Sequence, residues 1–175
     1  MLQPLVRRSW APKGETPIQR QWERHDRLSA VAAITVAPRP AKAGLGLYWG
    51  MQCDNICAED VVRFLRCIRW QLRRKLLVIL DRGKVHRARV VQEYLRRLQG
   101  KIRLEPLPGY APDLNPVEQV WNHTKYSDMA NLAPENLGEL GSLVNACISK
   151  TRSQSHLLRS FFELAGLSLN CDGVP

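Results

Sequence analysis

Acidic residues are scarce in this chain: 16 Asp and Glu stand against 26 Lys and Arg over 175 residues, a net charge of +10. Long apolar runs are absent too. None approaches the roughly 20 residues that a membrane-crossing helix needs. The opening, MLQPLVRRSWAPKGETP, has no apolar stretch ahead of its prolines, so no secretory leader is expected there. The cysteines (Cys53, Cys57, Cys67, Cys147 and Cys171) are odd in number and share no repeated spacing. Cys53 and Cys57 lack a second pair or a histidine couple, so neither a zinc site nor a disulfide framework is expected. Internal repeats and low-complexity tracts are missing as well. What is present is a chain with 45% apolar residues, enough for a folded core and about one domain long. A cytoplasmic protein with reduced cysteines is the expectation.

The positive charge is concentrated. From Arg63 to Arg103 there are 14 Lys and Arg but only two acids, Asp81 and Glu93, whereas the remainder is slightly acidic. Such a block points to a polyanion, nucleic acid above all. Its plainer reading is a solvated basic surface.

Periodicity predicts an α/β chain. Residues 1–24 are turn-rich. Leu28 to Val36 (LSAVAAITV) reads as a buried strand, and Leu45, Leu47 and Trp49 alternate with Gly46, Tyr48 and Gly50 as a second. The short connection makes the two an antiparallel pair. From Ala58 a helix is expected, with Val61, Leu65, Ile68 and Leu72 on one stripe and Arg63, Arg66, Trp70, Arg73 and Arg74 on the other side. The run LLVIL, Leu76 to Leu80, reads as a central strand covered on both faces. A second helix should run from about His86 to Gln99, burying Ala88, Val91, Leu95 and Leu98 and projecting Arg89, Arg96 and Arg97. Ile102 and Leu104 then form a strand parallel to LLVIL across a right-handed crossover. After the stiff loop PLPGYAPDLNP, Asn115 caps a helix whose first residue is Pro116. Two further helices are expected over about 135–150 and 153–165.

Two carboxylates stand out. Asp81 follows the most apolar strand, at the end where open α/β sheets form ligand sites. A carboxylate there can hold a divalent metal against phosphate oxygens, though a polar residue ending a strand needs no further role. Glu118 lies three residues after Asn115, which also fits a capping box. His86 and His123 follow these acids by five residues each, placed to orient a carboxylate or to sit on the surface. Trp70 among arginines could stack on a base or pack against a partner; Tyr110 reads as a packing residue.

The segments LLVILDRGKVHRARVVQEYL and LEPLPGYAPDLNPVEQVWNHTK, with RRSWAPKGETP and RHDRLSAVAAITV before them, resemble DDE transposases of the mariner-related bacterial insertion-sequence branch. The likeness extends over about residues 5–165. It implies a ribonuclease-H-like fold: mixed sheet, antiparallel strands first, then parallel strands with crossover helices. Residues 1–133 would be the catalytic core and 134–175 a helical extension of the same domain. The resemblance also implies DNA strand cleavage and transfer during transposition, with two Mg²⁺ (or Mn²⁺) ions held by three carboxylates. One metal would activate the nucleophile and the other would stabilise the leaving oxygen. The family's second Asp falls on Asp81 and its third acid on Glu118, with His86 and Asn115 as supporting residues. Arg82 stands where the family commonly has Asn.

The family's first Asp and its helix-turn-helix region would lie upstream of Met1. A truncated enzyme with its first strand missing, poor or inactive as a catalyst, is therefore the expectation. Asp26, Asp54 and Asp60 do not match the missing position. The implied partners are DNA, at element ends and target, contacted by Arg63, Arg66, Arg73, Arg74, Arg89, Arg96 and Arg97. Self-association is a further possibility, no membrane is involved, and the place is a bacterial cytoplasm beside the nucleoid. The alternative is an inactive remnant that binds nucleic acid nonspecifically.

Overall fold

Alternating side chains set the first pair of strands. β1 (Ser29–Thr35) and β2 (Gly46–Gln52) run antiparallel, with Ser29 opposite Gln52 and Thr35 opposite Gly46. The computed structural model describes residues 10–15, 28–37, 44–109 and 111–169. Most of the opening segment, Asp26, Tyr110 and Cys171 lie outside the described residues.

α1 (Ala58–Leu72) forms where the helical stripe predicts it, burying Val61, Leu65 and Ile68. Its amino end is organised by Asp60. One carboxylate oxygen of Asp60 accepts from the Cys57 backbone N–H (2.9 Å), the Cys57 thiol (3.0 Å) and the Gln52 amide (2.9 Å). The other pairs with Arg63 at 3.0 Å. The Cys57 thiol is the largest of these influences, and together they lower the Asp60 pKa from 3.8 to about 2; in return Asp60 raises that of Cys57. A carboxyl group depressed on folding stabilises the native state above its unfolded pKa and loses that contribution as pH falls through the folded one. Asp60→Asn should therefore lower the melting temperature at neutral pH. The gap from wild type should close as pH falls from about 4 to about 2. A gap that stays constant over that range would show that Asp60 acts by shape and not by charge.

The carboxyl end of α1 closes on Arg73 in the left-handed conformation, φ 51°, its N–H donating to the Arg69 carbonyl at 2.9 Å. β3 (Leu76–Leu80) follows at once. A single 3₁₀ turn at Lys84–Arg87 then precedes α2 (Arg89–Arg97), so the second helix starts later than its periodicity suggests. Ala88 is extended between the two, which divides the helix. β4 (Ile102–Pro106) returns parallel to β3, with Leu76 opposite Ile102 and Leu80 opposite Pro106.

Among the described residues β3 is not covered on both faces. Leu76 and Val78 pack with α1 and α2 in one core, while Leu77 and Ile79 each keep 63% of their surface exposed. Both crossover helices lie on the same side, and among the described residues β3 pairs only with β4, in a two-stranded sheet. Opposite Leu77 and Ile79 sit Arg103 and Glu105, joined by an ion pair at 2.6 Å on that outer face.

α3 (Pro116–His123) begins at Asn115, whose side-chain oxygen accepts from the Val117 N–H at 3.2 Å. It runs into a wider π turn at Thr124–Asp128, then α4 (Leu137–Ser153) and α5 (Ser155–Leu164). Two cores result. Leu47, Val120, Met129, Val144, Ile148, Leu158 and Phe161 join β2 to α3, α4 and α5. Val61, Val62, Leu65, Val91 and Ile102 join α1 and α2 to β3 and β4. The described residues thus hold an antiparallel pair and a parallel pair as separate sheets. No helix among them is long and apolar enough to cross a membrane.

Candidate active site

Asp81 stands directly after β3, at the carboxyl end of the parallel pair. Its Oδ1 accepts from the Gly83 N–H at 2.7 Å and lies 3.3 Å from His86 Nε2. Of the two roles open to His86, the structure shows the contact with the Asp81 carboxylate. The 3₁₀ turn after the strand brings His86 back over the carboxylate, leaving Oδ2 without a partner among the described residues. Gly83 is a site residue that sequence reasoning passed over. A Cβ there would lie 2.9 Å from Asp81 Oδ1 and 3.1 Å from the His86 ring, so a side chain would push the two apart. Its signal was the Asp-x-Gly spacing at the end of an apolar strand.

Glu118 enters from the other core, in the first turn of α3. The capping box does not form. The Asn115 N–H donates to the Pro112 carbonyl at 2.9 Å, so Asn115 serves as a one-sided cap. The Glu118 carboxylate has no hydrogen bond or ion pair among the described residues. Although the side chain as a whole stays exposed, loss of solvent around its carboxyl group raises its pKa, and the Asp81 charge raises it further. The loop between the halves is tied down by Leu107, whose N–H donates to the Leu80 carbonyl at 2.7 Å and whose own carbonyl accepts from Arg82 Nε at 3.1 Å.

Two oxygen donors sets of this kind suit a hard divalent cation such as Mg²⁺ or Mn²⁺. A cation between them would also remove the repulsion that protonation of Glu118 otherwise relieves. No cluster of three or more metal-ligating side chains occurs among the described residues. Asp60 is engaged in capping α1, and Asp54 is an exposed residue of the turn before it.

His123 does not support Glu118. It lies 3.4 Å from Asp128 at the far end of the π turn, and Asp128 also pairs with Lys150 at 2.9 Å. Among the basic residues, Arg63 pairs with Asp60 and Arg89 with Glu93 at 3.5 Å. The Arg66 guanidinium lies 5.8 Å from the Tyr94 ring centre. Arg73, Arg74, Arg96 and Arg97 are exposed, with no carboxylate partner among the described residues.

The model of the DDE superfamily endonuclease family matches residues 1–140. The chain belongs to that family. The chain shares the ribonuclease-H-like fold of a mariner transposase catalytic domain. The Mos1 strand transfer complex aligns with a TM-score of 0.61 at 15% identity, covering 94% of this chain and 48% of that one. The Mos1 paired end complex with Mn aligns with a TM-score of 0.61 at 12% identity, over 94% and 50%. The Mos1 catalytic domain with raltegravir and Mg gives 0.54 at 12% identity, over 79% of each chain. The chain thus spans about half the length of the longer transposase structures that it matches. A search of curated proteins finds no match.

Proposed function

We propose that this chain forms part of a transposase active site that cleaves and joins DNA strands of an insertion sequence, in a bacterial cytoplasm beside the nucleoid. The observation that carries the reading is the family match over residues 1–140, within which Asp81 ends β3 and Glu118 opens α3; the Asp81 charge, after burial, raises the Glu118 carboxyl. Two divalent cations are proposed for the complete site. Bound there, they supply positive charge to the phosphate oxygens and leaving group of a strand-cleavage reaction.

The chain's own residues do the positioning. Gly83 and His86 hold Oδ1 of Asp81, fixing the carboxylate's orientation and leaving Oδ2 open to a ligand. Asn115 and Pro116 fix where α3 starts, and so where Glu118 points. Arg82 anchors the connecting loop. The basic side chains of α1 and α2 contact backbone phosphates, which orient DNA without reading its sequence. The matched structures include transposon-end complexes, which supports DNA ends as substrate and a paired assembly as the working form.

Metal binding is measurable without catalysis. Mn²⁺ should raise the melting temperature of the chain, more at pH 7 than at pH 5, because a proton held on the raised Glu118 carboxyl competes with the cation. Glu118→Gln should abolish that shift and leave the metal-free protein as stable as before or slightly more so. A Mn²⁺ shift that survives both Glu118→Gln and Asp81→Asn would move the metal site elsewhere.

A further inference from the structure

Trp70 is an exposed tryptophan with no aromatic or hydrogen-bonding partner among the described residues, and 70% of its surface is open. It lies in the last turn of α1, one turn beyond Arg66, whose guanidinium is held over Tyr94 of α2 at 5.8 Å. Beyond it come Arg73, Arg74 and Lys75, all exposed. The Leu76 N–H donates to the Lys101 carbonyl at 2.9 Å, so the turn after α1 and the turn after α2 lie side by side. Lys101 therefore joins the same end of the domain. No carboxylate pairs with these cations among the described residues.

This end is remote from the carboxylates. α1 runs antiparallel to β3, since only three residues join them, and α1 contacts the 3₁₀ turn that follows Asp81. Lys75 and Asp81 flank the five residues of β3, roughly 20 Å apart at about 3.3 Å per residue. Trp70 lies about 18 Å along the helix from its first residue. The exposed side of α1 is thus a track leading away from the site, bearing a guanidinium and then an indole about 6 Å further on, with cations at its end.

Two helix carboxyl ends meet here, and their dipoles attract some positive charge. That accounts for Arg69 and Arg97, but not for an open tryptophan. Duplex DNA offers phosphates to such a track while its base faces are stacked away. Unpaired bases offer a flat face to both indole and guanidinium. Resting on the reading of the chain as a DNA-cleaving enzyme, we infer that the α1 track binds a single-stranded DNA segment leading away from the cleavage site, with Trp70 stacking on a base.

The test uses fluorescence anisotropy without metal, comparing a duplex carrying an unpaired tail of about ten nucleotides with a fully paired duplex of equal length. Trp70→Ala should weaken binding of the tailed DNA by roughly 5- to 150-fold, the usual cost of losing one stacked base. It should weaken the blunt duplex less than about twofold, and Trp70→Phe should restore most of the tailed affinity. Arg73→Ala with Arg74→Ala should weaken both and flatten the log–log salt slope by about 1 to 2. Equal losses on both DNAs, or no loss, would overturn the single-strand assignment while leaving the DNA reading intact. A concentration-dependent dimer abolished by Trp70→Ala, with DNA affinity unchanged, would overturn it in favour of a second copy of the chain. Failure of the wild type to bind either DNA at low salt would overturn both readings.

Discussion

Residues 1–175 alone should cleave transposon-end DNA barely above background in Mg²⁺ or Mn²⁺. In-line displacement at phosphate needs two metals fixed on either side of the scissile bond, and the proposed site draws only two carboxylates, Asp81 and Glu118, from the described residues. A longer polypeptide supplying an upstream strand with a third carboxylate should cleave readily. In that protein Asp81→Ala should lower the rate by at least about 10³-fold, and Glu118→Gln similarly, because each removes a negative ligand from a site that must concentrate positive charge. The circular dichroism spectrum should not change, since Asp81 is an exposed residue outside any strand or helix and Glu118 serves no cap. Strong metal-dependent cleavage by residues 1–175, lost on Asp26→Ala, would show that another acid completes the site. Cleavage that survives Asp81→Ala in the longer protein would remove the carboxylate from the reaction altogether.

The second large effect separates two leucines that the sequence does not distinguish. Leu158 of α5 is fully buried among Leu47, Val120 and Ile148. Leu158→Ala should cost about 2–5 kcal/mol, the sum of lost burial and an uncollapsed cavity. That is a large share of the roughly 5–15 kcal/mol that holds a typical domain together. Leu77, in the middle of the most apolar run of the chain, should behave otherwise. With 63% of its surface open, Leu77→Ala should change stability by no more than about 0.5 kcal/mol. Chemical denaturation of the two variants measures both. A cost at Leu77 comparable with that at Leu158 would show that another layer covers the outer face of β3 in solution.

That contrast marks where sequence reading stops. The run Leu76–Leu80 specifies a strand, but an unbroken apolar run has no period from which to read how many faces are covered. The covering depends on where two distant helices pack. Asn115-Pro116 declared the start of α3 because cap and proline geometry are local. Whether Glu118 folds back on the cap is not local: the Asn115 N–H bonds the Pro112 carbonyl instead. Asp60 illustrates the converse. It reads as a stray acid, whereas it joins a cysteine in capping α1, a pairing that lies outside the usual cap residues. The π turn at Thr124–Asp128 left no trace in composition, and it redirects Asp128 toward His123 and Lys150 in a way that 3.6-residue spacing does not foresee. Asp81 with His86 was legible because a single short turn suffices to bring them together.

The division into two cores bears on how the molecule breathes. Each core is assembled from its own sheet and helices, so each can act as a separate cooperative unit, opening with its own free energy. Amide exchange in β3 and β4 is then governed by the α1–α2 half, and exchange in β1 and β2 by the half containing α4 and α5. Asp81 belongs to the first unit and Glu118 to the second, so loosening of either half separates the two carboxylates before the chain as a whole unfolds. A cation shared by the two carboxylates would couple the openings, slowing exchange in both units together. The metal would then act as a fastener between half-domains as well as a participant in the chemistry.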